Sequence, residues 1–211
     1  VFNNYIHHIS NNPAILRSRQ GHDNQFFNNI IWVPTGMSAK CIFQYRGMST
    51  GSSSANRNRF FNNTIHIDGN VNDAIVMVSD YSNDNKIYNN LIIGNTGDFV
   101  AGWDSLGKSN EIYNNVITGS LSGWFESSGI QSTFDVVSNN KDNQGKGFLN
   151  LQGTRPQTYW QLLGPKPGSS NGSPSFDFLD NGRSSSPDVS AFEYSDTVSV
   201  PSPPNNLRIE S

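Results

Sequence analysis

Arg17, Arg19 and Arg46 fall on two short stretches of alternating character, "AILRSR" at 14–19 and "CIFQYR" at 41–46. If both are strands on neighbouring levels of one sheet, their guanidinium groups stand about 5 Å apart and repel unless an anion bridges them. A carboxylate suits that position, because a guanidinium clamps it through two parallel hydrogen bonds. A uronate sugar carries such a carboxylate. Once it is neutralised, the adjacent C5 proton becomes acidic and a base can remove it. His22, just past Arg19, is the candidate base, whereas Tyr45 points inward by alternation. The competing reading leaves the arginines solvated, or paired with Asp23 or Asp80.

Other residues suggest other chemistry. Asp80, Asp104 and Glu126 sit near equivalent strands further along the chain. Glycoside hydrolysis needs two carboxyl groups roughly 5 to 9.5 Å apart, which strands on successive levels can supply. No paired acidic motif accompanies them. "DGNVND" at 68–73 is rich in oxygen donors but lacks a full calcium-ligand pattern, so it reads first as a turn. His7, Trp32 and His66 share one outward row with Ile93 and Thr118; the histidines read as surface residues, and Trp32 as a candidate sugar contact.

The elements that must hold these residues repeat. "NQFFNN", "NRFFNN", "NKIYNN" and "NEIYNN" start at Asn24, Asn58, Asn85 and Asn110, and the chain opens on "VFNN". The first Asn of each pair is Asn3, Asn28, Asn62, Asn89 and Asn114, with a degenerate sixth at Asn139. One residue after each of the first five pairs comes Ile6, Ile31, Ile65, Ile92 or Ile117, and an apolar residue lies two before each pair. Alternation on both sides of an Asn pair means two strands joined by a tight corner. Asn takes the left-handed conformation such a corner needs, and stacked copies can bond amide to amide.

A third strand completes each repeat: "AILRSR", "CIFQYR", "AIVMVSD" at 74–80, "FVAGWD" at 99–104 and "WFES" at 124–127. Three strands and three corners in a repeat of about 25 residues make one turn of a parallel β-helix. A longer step places an excursion at 47–58. Aligning the third strands puts Ala14, Phe43, Met77 and Gly102 inward. Arg17, Gln44, Val78 and Trp103 then form one outward row, and Arg19, Arg46, Asp80 and Ser105 the next. Gln44 and Trp103 are candidate substrate contacts. Phe2, Phe27, Phe61, Tyr88 and Tyr113 form an outward aromatic stripe, read as packing under a closing segment that supplies Trp160, Phe176, Phe178 or Phe192.

The repeats resemble the right-handed parallel β-helix family of pectate lyases and related polysaccharide-active proteins, over residues 1 to about 150. The expected fold is therefore all-β: the C-terminal portion of a right-handed parallel β-helix solenoid (1–144), a capping segment (145–194) and a Pro-rich linker to a further module (195–211). "RPQTYWQLL" at 155–163 reads as a short helix or an irregular capping turn. The resemblance implies a secreted or cell-surface protein, a substrate cleft along the third strand, and Ca²⁺ as the one helper ion. It favours lyase-type cleavage of an acidic polysaccharide. A non-catalytic carbohydrate-binding or adhesive scaffold and a glycoside hydrolase remain as alternatives.

Composition narrows the partners. The 211 residues are 34% hydrophobic and 15% charged, with a net charge of -3. No basic run exists to displace counterions from nucleic acid, and no apolar stretch reaches membrane-spanning length. Cys41 is the lone cysteine, so no internal disulfide forms. The reading is a monomeric module of a longer chain.

Overall fold

The computed structural model describes residues 1–7, 14–46, 55–78, 82–103, 107–141, 149–150, 161–162, 173–178, 180, 182–183, 185, 188 and 190–191. Strands follow one another in sets of three. β1 (Tyr5–Ile6), β2 (Leu16–Arg19) and β3 (Gln25–Phe27) form the first level, and β4 (Ile30–Val33), β5 (Ser38–Arg46) and β6 (Arg59–Phe61) the second. β7 (Thr64–Ile67), β8 (Asn70–Val78) and β9 (Lys86–Tyr88) form the third, and β10 (Leu91–Gly94), β11 (Thr96–Trp103) and β12 (Asn110–Tyr113) the fourth. β13 (Val116–Ile117), β14 (Leu121–Phe125), the one-turn α1 (Ser128–Gln131) and β15 (Phe134–Ser138) make the fifth.

Each strand pairs in parallel with its counterpart one level away, giving three sheets of five strands. The molecule is a parallel β-helix. Its interior is filled by in-register rows, among them Ile31, Ile65, Ile92 and Ile117, all fully buried. Burying such rows is the main stabilising term, about 25 cal/mol per Å² of apolar surface.

The Asn pairs divide their work. Asn28, Asn62, Asn89 and Asn114 adopt φ between 50° and 55°, which turns the corner. The second residue of each pair points inward and builds a ladder. Nδ2 of Asn4, Asn29, Asn63, Asn90 and Asn115 donates to Oδ1 of the residue one level on, at 2.9–3.0 Å, ending on Asn140. The same Oδ1 atoms also accept the backbone N–H of their neighbour. The side-chain and backbone amides of Asn4, Asn29, Asn63, Asn90 and Asn115 are thereby bonded within the protein.

A second ladder runs through the first Asn of the motif. Asn24, Asn58 and Asn85 donate to Asn58, Asn85 and Asn110 at 3.0–3.2 Å. The residue before each, Asp23, Arg57, Asp84 or Ser109, has φ between 55° and 60°. The motif therefore encodes two corners, one at each end of its short strand.

The aromatic stripe stacks as expected for packing. Ring centroids from Phe2 through Phe27, Phe61 and Tyr88 to Tyr113 lie 4.8–5.1 Å apart, with interplanar angles of 6–21°. Stacked rings spend their faces on one another and present only edges outward, so no sugar ring can lie flat on them. Phe61 and Tyr88 are buried.

The C-terminal segment returns along this flank. Asn28 Nδ2 donates to Phe176 O, Asn62 Nδ2 to Asp188 O, and Asn89 Nδ2 to Ser173 Oγ. Ala191 N donates to Thr64 Oγ1, and Ser190 N to Asn89 O. Phe178 is buried here, while Phe176 is only half-buried; Trp160 and Phe192 lie outside the described residues. The described residues between 173 and 191 thus form a strap on the side of the coils. Gln161–Leu162, within the stretch read as a short helix or an irregular capping turn, pair as an antiparallel strand with Leu149–Asn150. A nine-residue stretch is shorter than an isolated helix needs.

Candidate functional site

The third-strand sheet, β2-β5-β8-β11-β14, carries the charged rows. Arg17 pairs with Gln44, and Arg19 with Arg46, so the arginines do stand on adjacent levels. Arg17 and Arg19 are exposed and Arg46 half-exposed. No ion pair to any of them occurs among the described residues. Asp23 is not available to them: its carboxylate is clamped by Arg57 at 2.8 Å through both oxygens, and this holds its carboxyl below the usual range.

The expected rows need correction further along. Gln44 pairs with Val76, which shares its row with Ala101; Arg46 pairs with Val78, and Val78 with Trp103. Val78 and Trp103 therefore extend the Arg19–Arg46 row, two residues from where alternation placed them. Phe43 likewise aligns with Ile75 and Val100, not with Met77 and Gly102, which align with Tyr45. Pairing, which alternation leaves free by two residues, sets the register between strands, and each strand also bends. Ile42 and Phe43 both join the core, as do Ala74 and Ile75, and Phe99 and Val100. Two consecutive inward residues break simple alternation. For the same reason Ala14 packs with Cys41 and Ala101, outside the main core. Gln44, read as an outward contact, is 7% exposed.

Beyond the bend lies a row that alternation did not reveal. Cys41 pairs with Asp73, and Asp98 with Gly123; the Val100–Ile75 pairing puts Asp98 beside Asp73. The Asp98 N–H donates to Asp73 Oδ1 at 3.3 Å. Glu126, exposed just past β14, accepts the Gly102 N–H at 3.0 Å. Burial pushes the Asp73 carboxyl up, with Asp98 and Glu126 adding. Asp98 is raised by burial and by Glu126. Burial, with Asp73 adding and Arg17 and Lys40 opposing, pushes the Cys41 thiol up to about 12. One face thus grades from cationic on its first two levels to acidic on the next three, over small residues.

The remaining candidates scatter. His22 is exposed on the first level, near Asp23. Trp32 lies on β4, in a different sheet from the arginines; its Nε1 donates to Asp68 Oδ2 at 2.9 Å. Asp68 Oδ1 is 3.0 Å from His66 Nε2, and burial lowers the His66 pKa against the pull of Asp68. Of "DGNVND", Asn70–Asp73 run as part of β8. Among the described residues no three His, Cys, Asp or Glu are grouped to hold a metal ion. Tyr45 is fully buried, as its inward position requires, and its hydroxyl has no hydrogen-bond partner. Asp80, Asp104 and Ser105 lie outside the described residues, as does the side chain of Trp103.

The raised Asp73 pKa predicts a pH effect. A carboxyl whose native pKa exceeds its unfolded value binds its proton more tightly when folded. Its contribution is then favourable in acid and is lost as pH rises from the ordinary carboxyl value through the native one. Asp73→Asn keeps the oxygen that accepts from Asp98. The variant should melt at a higher temperature than the parent at pH 7, with the gain disappearing near pH 3.5 on the scale of ordinary carboxyl titration. Thermal melts at the two pH values check this.

No family model, characterised protein or solved structure matches the chain. Any functional reading therefore rests on the site itself.

Proposed function

We propose that this β-helix is a secreted, pectate-lyase-like protein that holds an acidic polysaccharide along the outer face of the third-strand sheet and cleaves it by β-elimination. The observation that carries this reading is the trio Arg17, Arg19 and Arg46, on adjacent levels and without ion pairs among the described residues. Their charges are unbalanced unless an anionic ligand spans them. Bound there, a uronate carboxylate loses its charge to the guanidinium clamp and its C5 proton becomes acidic. His22 takes that proton, a C4–C5 double bond forms as the C4–O bond breaks, and the departing sugar oxygen keeps the bonding pair and picks up a proton from water, leaving an unsaturated uronate at the new end. Incubation with pectate, alginate or glycosaminoglycan, with and without Ca²⁺, should raise absorbance near 235 nm for one polymer. Arg46→Ala should reduce that rate at least about tenfold, the scale of one charge-assisted contact. A flat trace with every polymer overturns the elimination chemistry.

A second reading draws on the acidic row. Asp73 and Asp98 on neighbouring levels, with Glu126 close by, are the candidate carboxyl groups for glycoside hydrolysis. They supply what Asp80 and Asp104 were expected to contribute. New reducing ends without absorbance at 235 nm would favour it.

A further inference from the structure

The rows that start at the arginines lose their positive charge after two levels. Arg19 and Arg46 continue into Val78 and Trp103. Arg17 and Gln44 continue into Val76 and Ala101, and that row closes on Glu126, one residue past the Val100–Phe125 pair. The neighbouring row runs from Cys41 to Asp73 and Asp98. Cys41 packs against Ala101 of the Arg17 row, so both rows lie on one side of the sheet. Asp73 and Asp98 are half-exposed and Glu126 is exposed. Their charges also reach one another: Arg17 and Asp73 act in opposite senses on the Cys41 thiol, and Glu126 acts on both aspartates. An anionic chain that is held at Arg17 and Arg46 and continues along the coil axis therefore meets carboxylates and no further cation in these rows. Like charges placed face to face exclude a partner more effectively than attraction selects one.

We propose that Asp73, Asp98 and Glu126 set the specificity of the arginine site by repelling a continued run of carboxylates. The site then takes a polysaccharide whose acidic sugars are interspersed with uncharged ones, in preference to a continuous polyuronate. This rests on the acidic-polysaccharide reading above and narrows its substrate class. The uncharged sugars lie over the acidic levels, where their hydroxyls meet carboxylates without repulsion.

The test compares two probes by calorimetric titration: hyaluronan, in which uronates alternate with uncharged sugars, and polygalacturonate, in which every sugar is a uronate. Low salt and about pH 8 keep screening weak and the carboxyl groups ionised. Expressed per uronate, the parent should bind hyaluronan about fivefold more tightly, the scale of one or two exposed charge contacts. The Asp73→Asn, Asp98→Asn double variant should close that gap by binding polygalacturonate about fivefold more tightly than the parent does. Asparagine at 73 keeps the oxygen that accepts the Asp98 N–H. Glu126→Gln, at an exposed position, should act in the same direction by a smaller factor, and it guards against a folding effect in the double variant. Added salt should narrow the parent's preference. Polygalacturonate affinity unchanged in both variants overturns the proposal, and the arginine site then stands if Arg46→Ala still weakens binding. A parent that binds neither polymer, or Arg46→Ala binding as well as the parent, removes the arginine site and the proposal together.

Discussion

Asn63→Ala should be among the most damaging single truncations in the coils. Asn63 Oδ1 accepts the backbone N–H of Asn29 at 3.0 Å and its side-chain amide at 2.9 Å. Its own Nδ2 donates to Phe26 O, Phe61 O and Asn90 Oδ1 at 3.0 Å. Asn29, Asn63 and Asn90 are fully buried, so water cannot replace any of these bonds. Alanine strands several backbone and amide groups at once, each costing about 1–3 kcal/mol when left unsatisfied. With partial relaxation, a loss of about 4 kcal/mol or more is expected, in the range that marks a broken buried network. Asn4, exposed on the first level, is the control: its side chain makes two bonds, to Phe2 O and Asn29 Oδ1, where water can take their place, so Asn4→Ala should cost only about 1 kcal/mol. Urea titration of both variants checks the gradient. Equal midpoints would show that the ladder does not hold the coils together.

The second large effect is expected at Arg183. Its guanidinium donates to Phe176 O at 3.3 Å, Asp188 O at 3.2 Å, Ser190 O at 2.9 Å and Asn28 Oδ1 at 3.0 Å. One side chain therefore closes the strap on itself and pins it to the coil. Bonds to a charged donor contribute about 1.5–3 kcal/mol each in favourable cases. Arg183→Ala should detach the strap while the ladders keep the coils intact, a local opening rather than global unfolding. Limited proteolysis should then cut within 173–191 at least about tenfold faster, the factor set by a local loss of about 1.4 kcal/mol. Cleavage within the coils should not change. Lysine, a point charge without the planar fork, should rescue only part of the protection. Protection equal to the parent in Arg183→Ala would mean that the strap is held mainly by the asparagine column.

The coil architecture was legible because its cause is local. Left-handed Asn at 28, 62, 89 and 114 and amide stacking at 29, 63, 90 and 115 follow from the residue type at a fixed period. The second ladder through Asn24, Asn58, Asn85 and Asn110 was written in the same motif. It was missed because Asp23, Arg57, Asp84 and Ser109 turn that corner without a common residue type. The site was less legible. Asp73 sat in a segment read as a turn and Asp98 fell just before the strand read at 99–104, whereas β8 and β11 already begin at Asn70 and Thr96. The bend at Ala74–Ile75 then changed which residues face outward, and no period in the sequence marks it. The strap contacts join residues more than a hundred positions apart, such as Asn62 and Asp188, largely through main-chain carbonyls that leave no trace in sequence.

The central claim is that the arginine face holds an acidic polymer, whatever chemistry follows. Native gels containing polygalacturonate, alginate or neutral dextran test it most directly. The account predicts retardation of the parent protein by an acidic polymer and not by dextran, relieved by added salt as the charges are screened. It also predicts normal migration for the Arg17→Ala, Arg46→Ala double variant and undiminished retardation for Asp73→Asn. Equal retardation of the double variant and the parent, or retardation by dextran alone, would contradict it.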